Sequence, residues 1–210
     1  MIKIIDYGMG NTASMLNMIR KVGGQAEVCA IPSELNSATA IILPGVGSFD
    51  NAITKLENSG FLEALHSKVI KEKIPFLGVC LGMQLLFEKS EEGKLPGLRW
   101  MEGDVRRFDF SDIQFNGRLK VPHMGWNVVT PKTYEGLFFG LEDEARFYFI
   151  HSYHVNCFNP LDVLATTNYG HEFTCSVRHD NIWGVQFHPE KSHQFGIRVF
   201  KNFLKEIGHA

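Results

Sequence analysis

Short apolar runs alternate with amphipathic stretches through residues 2–88. Residues 2–5 are an apolar run that closes at the turn Asp6-Tyr7-Gly8. Asn11 or Thr12 then caps a helix reaching Val22, with Met15, Leu16, Met18 and Ile19 on one stripe. Gly23-Gly24 stops it. Residues 26–30 and 40–43 read as two more strands, the latter closed by Pro44-Gly45. Ser48 opens helical sequence to about Lys71, broken near Gly60, and its cluster of lysines marks a solvated face. Residues 74–79 give a fourth strand and 81–88 a helix. Strands that alternate with helices imply right-handed crossovers and a mainly parallel sheet. Runs apolar on both sides agree with burial on both faces of that sheet.

The texture changes after Glu88. Aromatic and β-branched runs at 104–108, 126–129, 147–150, 163–167, 173–177 and 182–187 predict antiparallel strands and hairpins, with a turn at His179-Asp180-Asn181. A closing helix runs from Ser192 to about Ile207, with Phe195, Val199, Phe200, Phe203 and Leu204 on one side. The expected fold is α/β: an open, mixed, mainly parallel sheet flanked by helices, with an antiparallel second half. One domain over 1–210 accommodates it.

Composition removes several function classes. The chain has 210 residues, 44% hydrophobic and 21% charged, which is ordinary globular usage. A net charge of -2 leaves no basic footprint for nucleic acid. No apolar run reaches the roughly 20 residues of a membrane helix, and the N-terminus lacks the pattern of a signal peptide, so a cytoplasmic location is expected. Cys29, Cys80, Cys157 and Cys175 are widely spaced, which predicts free thiols. The densest histidine patches, 151–154 and 188–193, lack paired ligand spacing, and neither a metal nor a cofactor is expected.

The chemistry is carried by three segments. In Gly78-Val79-Cys80-Leu81-Gly82 an apolar strand runs directly into a helix across one residue, with a glycine two positions to either side. That is the layout of a nucleophile elbow with Cys in place of Ser, and the start of a helix favours a thiolate. In Gly184-Val185-Gln186-Phe187-His188-Pro189-Glu190 a strand delivers His188 as a candidate base. Glu190 follows two residues on, where an extended chain would point it the same way to orient the ring. In Leu43-Pro44-Gly45-Val46-Gly47-Ser48 neighbouring glycines let a main-chain N–H swing toward a developing oxyanion, with the Leu81 N–H as second donor.

Together these segments resemble the class I (triad) glutamine amidotransferase family. The carriers are Pro44-Gly45-Val46-Gly47, Gly78-Val79-Cys80-Leu81-Gly82-Met83-Gln84 and Gln186-Phe187-His188-Pro189-Glu190-Lys191-Ser192. Asp6-Tyr7-Gly8-Met9-Gly10-Asn11, Pro122-His123-Met124-Gly125-Trp126-Asn127 and Tyr148-Phe149-Ile150-His151-Ser152-Tyr153 are similar to one branch, the glutaminase subunits of imidazole glycerol phosphate synthases. The resemblance spans nearly the whole chain. It implies a flavodoxin-like fold and hydrolysis of L-glutamine to glutamate and ammonia through a thioester on Cys80, with His188 and Glu190 completing the triad. It implies oxyanion donors near Val46-Gly47 and at Leu81, and a substrate pocket using Gly45, Gln84, Glu92, Ser152 and Tyr153. It also implies a heterodimer with a (β/α)8-barrel cyclase that uses the ammonia to make imidazole glycerol phosphate and AICAR in histidine biosynthesis. Asn11, Trp126, Tyr148 and Lys191 fall near the docking face. Two stretches depart from the pattern: Gly97-Leu98-Arg99-Trp100, where relatives commonly continue Gly-Leu-Gly, and 106–119. Three alternatives stay open: the same glutaminase serving a paralogous synthase that modifies a surface sugar, a stand-alone γ-glutamyl cysteine hydrolase, and a regulatory module with a fossil triad.

Overall fold

The four apolar runs of the first half lie side by side in a computed structural model that describes residues 1–111, 119–142 and 144–209. They form β1 (Ile2–Ile5), β2 (Ala26–Cys29), β3 (Ala40–Gly45) and β4 (Phe76–Cys80), all parallel, in the order β2-β1-β3-β4. Such an order reverses direction between β1 and β3, and open α/β sheets bind ligands outside the carboxyl ends of strands at such a point.

Helices cover both faces. On one side α1 (Thr12–Lys21) packs near the C-terminal helix, and Met15 and Ile19 share a core with Ile2, Ile4, Phe200 and Phe203. Asn11 caps α1 through its side-chain oxygen, which accepts from Ser14 N at 3.0 Å. On the other side α2 (Phe49–Asn58) and α3 (Phe61–His66) bury Phe49, Ile53, Leu56, Phe61 and Leu65 against Ile5, Ile41, Leu43 and Phe76. The break predicted near Gly60 is a left-handed residue there, φ +75°.

The helix after β4 is shorter than the sequence pattern predicts. It comprises only α4 (Leu81–Gln84). Residues 97–101 fold back and use the carbonyls that a longer helix would need: Leu98 N donates to Leu85 O at 2.7 Å and Trp100 N to Leu86 O at 2.8 Å. The divergent stretch 97–100 is therefore a packing element, with Trp100 edge-on to Phe76 at 5.2 Å. Of the other divergent stretch, residues 112–118 lie outside the described residues.

The second half adds β5 (Lys89–Ser90), β6 (Gly103–Arg107), β7 (His123–Val128), β8 (Thr130–Pro131), β9 (Arg146–His151), β10 (Tyr153–Cys157), β11 (Val163–Tyr169), β12 (His171–His179), β13 (Ile182–Val185) and the helix α5 (His193–Glu206). Most of these strands pair antiparallel, including β7 with β9 as a separate ribbon. Strand β13 departs from that expectation: it is antiparallel to β12 but parallel to β4, with Gly184 opposite Gly78 and Val185 opposite Val79. Asn181, in the β12–β13 turn, fastens the hairpin there. Its side-chain amide donates to Val69 O at 3.0 Å and Ile74 O at 2.8 Å. The ends of β4 and β13 thus emerge together, which brings residue 80 to the region of residue 188.

One close approach is essential to that junction. A Cβ on Gly82 would sit inside the Leu43 carbonyl, which is backbone and cannot step aside. Gly82→Ala is expected to destabilise the fold by about 3 kcal/mol, seen as a melting midpoint roughly 6–12 °C lower. An unchanged midpoint would show that α4 is free to move away from β3.

Candidate active site

The segment predicted to be a nucleophile elbow has that geometry. Cys80 lies at φ 56°, ψ -110°, a conformation costly for any residue with a Cβ, and it joins β4 directly to α4. Gly78 and Gly82 make the turn possible: a Cβ on Gly78 would come within 2.7 Å of the Gly82 carbonyl carbon. The Cys80 sulfur has the Ile150 carbonyl at 4.0 Å and the side-chain amide of Gln186 at 3.6 Å.

Beyond the end of β13, His188 and Glu190 are in contact. His188 Nδ1 and Glu190 Oε1 are 2.8 Å apart, and both side chains are almost wholly buried. The pair does not arise from an extended chain, as the two-residue spacing suggested. Residues Pro189–Lys191 form a 3-10 turn that brings the carboxylate back under the ring. Ser192 locks the turn: its hydroxyl donates to His188 O at 2.6 Å and accepts from Tyr148 N at 3.0 Å. The other ring nitrogen of His188, Nε2, is buried with no partner among the described residues. Burial works against a charged imidazole, but Cys80 first and Glu190 second outweigh it and raise His188 to about 10. The ring therefore keeps its proton at neutral pH.

The other thiols lack such surroundings. Burial, followed by nearby acidic groups, pushes Cys29 and Cys157 up to about 11, and burial raises Cys175 as well. All four cysteines are free.

A cleft of about 230 Å³ opens over Cys80, lined by Gly47, Leu81, Gln84, Glu92, Ser152 and Tyr153 among the predicted residues. Gly45 lies beside the nucleophile, paired with Cys80 across β3 and β4. The predicted end of β3 at Leu43 is thus too early, because the strand continues through Pro44-Gly45 and carries the glycines to the sulfur. Val46 leaves the strand with its side chain exposed. Gln84 is held by two bonds of 2.9 Å, donating to Tyr153 O and to Gln186 Oε1. Glu92 accepts from Phe49 N at 2.8 Å, and burial raises its pKa. The loop bearing Glu92 is clasped by Asp50, which accepts from Lys94 N and Leu95 N at 2.9–3.0 Å.

Some contributors escaped the sequence reading. Gln186, wholly buried, links Gln84 to the sulfur. Its position two residues before His188 was the available signal, since alternate residues of a strand share a side. Pro122, Ile150 and His151 also line the cleft. His151 donates from Nδ1 to the Tyr153 carbonyl at 2.7 Å, its Nε2 lies 3.0 Å from His123 Nδ1, and burial lowers these two rings to about 3 and about 4, so both stay neutral. Among the described residues no group of three or more His, Cys, Asp or Glu is arranged to hold a metal ion, and no helix is long and apolar enough to cross a membrane.

The residues assigned to a docking face form a partly exposed cluster. Trp126 is 48% exposed, stacks on His193 with ring centroids 5.3 Å apart, and meets Tyr148 edge-on. Lys191 lies over the Tyr148 ring at 5.6 Å. Asn11 is exposed at the start of α1, the helix that packs against the Pro189–Lys191 turn.

Known proteins share this fold. A family model for the class-I glutamine amidotransferases matches residues 3–207. The chain is 51% identical over 203 residues to the imidazole glycerol phosphate synthase subunit HisH of Bdellovibrio bacteriovorus, covering 97% of this chain and 98% of that one. It is 48% identical to subunit HisH 2 of Methanococcus maripaludis, covering 98% and 100%. Among solved structures, a glutamine amidotransferase superposes with a TM-score of 0.75 at 18% identity, covering 99% of this chain and 98% of that one. PurLQS from Thermotoga maritima gives 0.74 at 15%, covering 98% and 97%. These two likenesses establish the fold, and the identities over full length establish the branch. The chain belongs to the class-I glutamine amidotransferases and, within them, to the HisH subunits of imidazole glycerol phosphate synthase.

Proposed function

We propose that residues 1–210 work as a single type 1 glutamine amidotransferase domain in which Cys80, His188 and Glu190 hydrolyse L-glutamine to glutamate and ammonia. The observation that carries this reading is the strained Cys80 at the floor of a cleft, with the buried His188–Glu190 pair at 2.8 Å behind it. The thiolate of Cys80 attacks the side-chain amide carbon of glutamine. Main-chain N–H groups at Leu81 and at Val46 or Gly47 hold the oxyanion. His188 gives its proton to the departing ammonia, and Glu190 holds the ring in place. Water then cleaves the γ-glutamyl thioester. Gln84, Ser152 and Tyr153 shape the pocket, and the Glu92 carboxylate is suited to receive the substrate α-ammonium.

The ammonia passes to a (β/α)8-barrel cyclase subunit in a cytoplasmic heterodimer, with no role for nucleic acid or a membrane. Support for the docking site comes from the exposed apolar side chains of Val46, Val121, Met124 and Trp126, the first two next in sequence to the cleft residues Gly47 and Pro122, since exposed apolar patches mark interfaces. Neither a cofactor nor a metal enters the reaction.

The test is glutamate release from L-glutamine by the chain alone, with the histidine-pathway cyclase, and with cyclase plus its nucleotide substrate. Stimulation of roughly 100-fold or more by partner and nucleotide together is expected, in line with a coupling free energy of about 3 kcal/mol. Full activity without a partner would instead identify an independent hydrolase. Glutaminase activity that this cyclase leaves unchanged would point to a different synthase.

A further inference from the structure

The structure leaves one buried hydroxyl beside the nucleophile without a task. Tyr7 follows β1 and is 6% exposed, and its hydroxyl oxygen is buried with no hydrogen-bond partner among the described residues. Buried polar groups are rarely left unpaired, because an unmade hydrogen bond costs more than a made one contributes. The loop is also held firmly: Gly8 N donates to Asp6 Oδ1 at 3.1 Å, and Lys55 Nζ donates to Gly8 O at 3.1 Å. The hydroxyl is therefore placed by the backbone around it, not left over at a loose end.

Its neighbour is the oxyanion segment. A Cβ on Gly45 would lie 3.0 Å from the Tyr7 oxygen and 2.9 Å from Gly82 N. The phenol thus sits at the joint between β3 and the elbow. Met9 and Gly10 press on the same segment: a Cβ on Gly47 would meet the Met9 methyl at 2.8 Å, and one on Gly10 would meet Pro44 at 3.0 Å. Burial, and after it the charge of Cys80, push the Tyr7 hydroxyl well above the ordinary phenol range. Tyr7 consequently keeps its proton and is available as a donor.

In a trans peptide the carbonyl and the following N–H point opposite ways. Turning the Val46 N–H toward the substrate therefore swings the Gly45 carbonyl away from the cleft. We propose that Tyr7 is a positioning residue for the oxyanion peptide: its O–H donates to the Gly45 carbonyl when the Val46 N–H faces the cleft, and so favours that orientation. This rests on the assignment of Val46-Gly47 to the oxyanion made above.

Tyr7→Phe in the complex with the cyclase subunit tests it, because only the hydroxyl is lost. The kcat for glutamate release should fall roughly tenfold, less than the 10²–10³ carried by a direct oxyanion donor, with KM for glutamine within about twofold. Alkylation of Cys80 by iodoacetamide should keep its rate, since displacement of iodide develops no oxyanion. The melting midpoint should hold or rise, because an unpaired buried hydroxyl is removed. An unchanged kcat would overturn the proposal. Alkylation that slows in parallel would also overturn it, by placing the hydroxyl in service of the thiolate. A lowered midpoint or an unfolded variant would overturn it too, by making the role structural. Cys80→Ala run beside it separates the two levels: glutamate release by that variant would sink the assignment of the site, whatever Tyr7→Phe does.

Discussion

Replacing Cys80 by alanine should remove glutamate release by roughly 10⁵- to 10⁶-fold, the scale seen when a covalent nucleophile is deleted from a triad. The same complex, supplied with ammonium salts, should continue the synthase reaction at close to its normal rate. The two outcomes belong together. In the proposed mechanism the sulfur is the atom that bonds to substrate, so no neighbouring group substitutes for it. Burial leaves Cys29 and Cys157 at about 11 and Cys175 raised, and all three lie away from the cleft lining. Alanine also removes little that holds the elbow together. The turn is fixed by the close approach of Gly78 to Gly82 and of Gly82 to Leu43, not by the sulfur, whose contacts are a 3.6 Å amide and a 4.0 Å carbonyl. The residues proposed for docking, Trp126, Tyr148 and Lys191, are untouched, so assembly with the proposed cyclase partner should survive. Retained glutamine hydrolysis by Cys80→Ala would mean that Cys80 is not the nucleophile. Loss of the ammonium-dependent reaction as well would mean that the elbow, and not its thiol alone, supports the partner.

Much of this arrangement is legible in the chain itself. The parallel half declares itself because each of β1, β3 and β4 is buried on both faces, so β3 and β4 read as apolar runs, and β1 does so but for Lys3, which is buried and paired with Glu27. The elbow is legible because its geometry demands glycine at two fixed offsets from Cys80. What the sequence hides is long-range. The end of α4 is decided by residues 97–101 claiming its carbonyls, and no local pattern at 85–88 announces that. The parallel docking of β13 on β4 depends on Asn181 reaching Val69 and Ile74 more than a hundred residues away. Gln186 and Tyr7 read as ordinary strand and turn residues, and only the folded chain places one on the sulfur and the other behind Gly45. The His188–Glu190 contact follows from a different backbone than the extended one its spacing suggests: a 3-10 turn, tied by Ser192, makes it.

That turn sets the order of the second large effect. His188→Ala should cost roughly 10⁵- to 10⁶-fold in kcat, because it removes the group proposed to give its proton to the leaving ammonia. Glu190→Gln should cost less, roughly 10⁴-fold, since the ring remains and Ser192 still holds the His188 carbonyl. The pH dependence separates the roles further. In the intact protein, burial opposes the imidazolium, and Cys80 and Glu190 overcome it to raise His188 to about 10. The acid form of the ring is thus present across neutral pH, and activity should fall on the alkaline side as His188 loses its proton. Glu190→Gln deletes one of the two raising influences and leaves burial in place. Its alkaline limb in kcat/KM must therefore move to lower pH, and it cannot move higher if the carboxylate stabilises the charged ring. An alkaline limb that stays put would show that Glu190 only orients the imidazole. A Glu190→Gln loss equal to that of His188→Ala would show that without the carboxylate the ring no longer reaches the sulfur, making the 2.8 Å contact the element that assembles the triad.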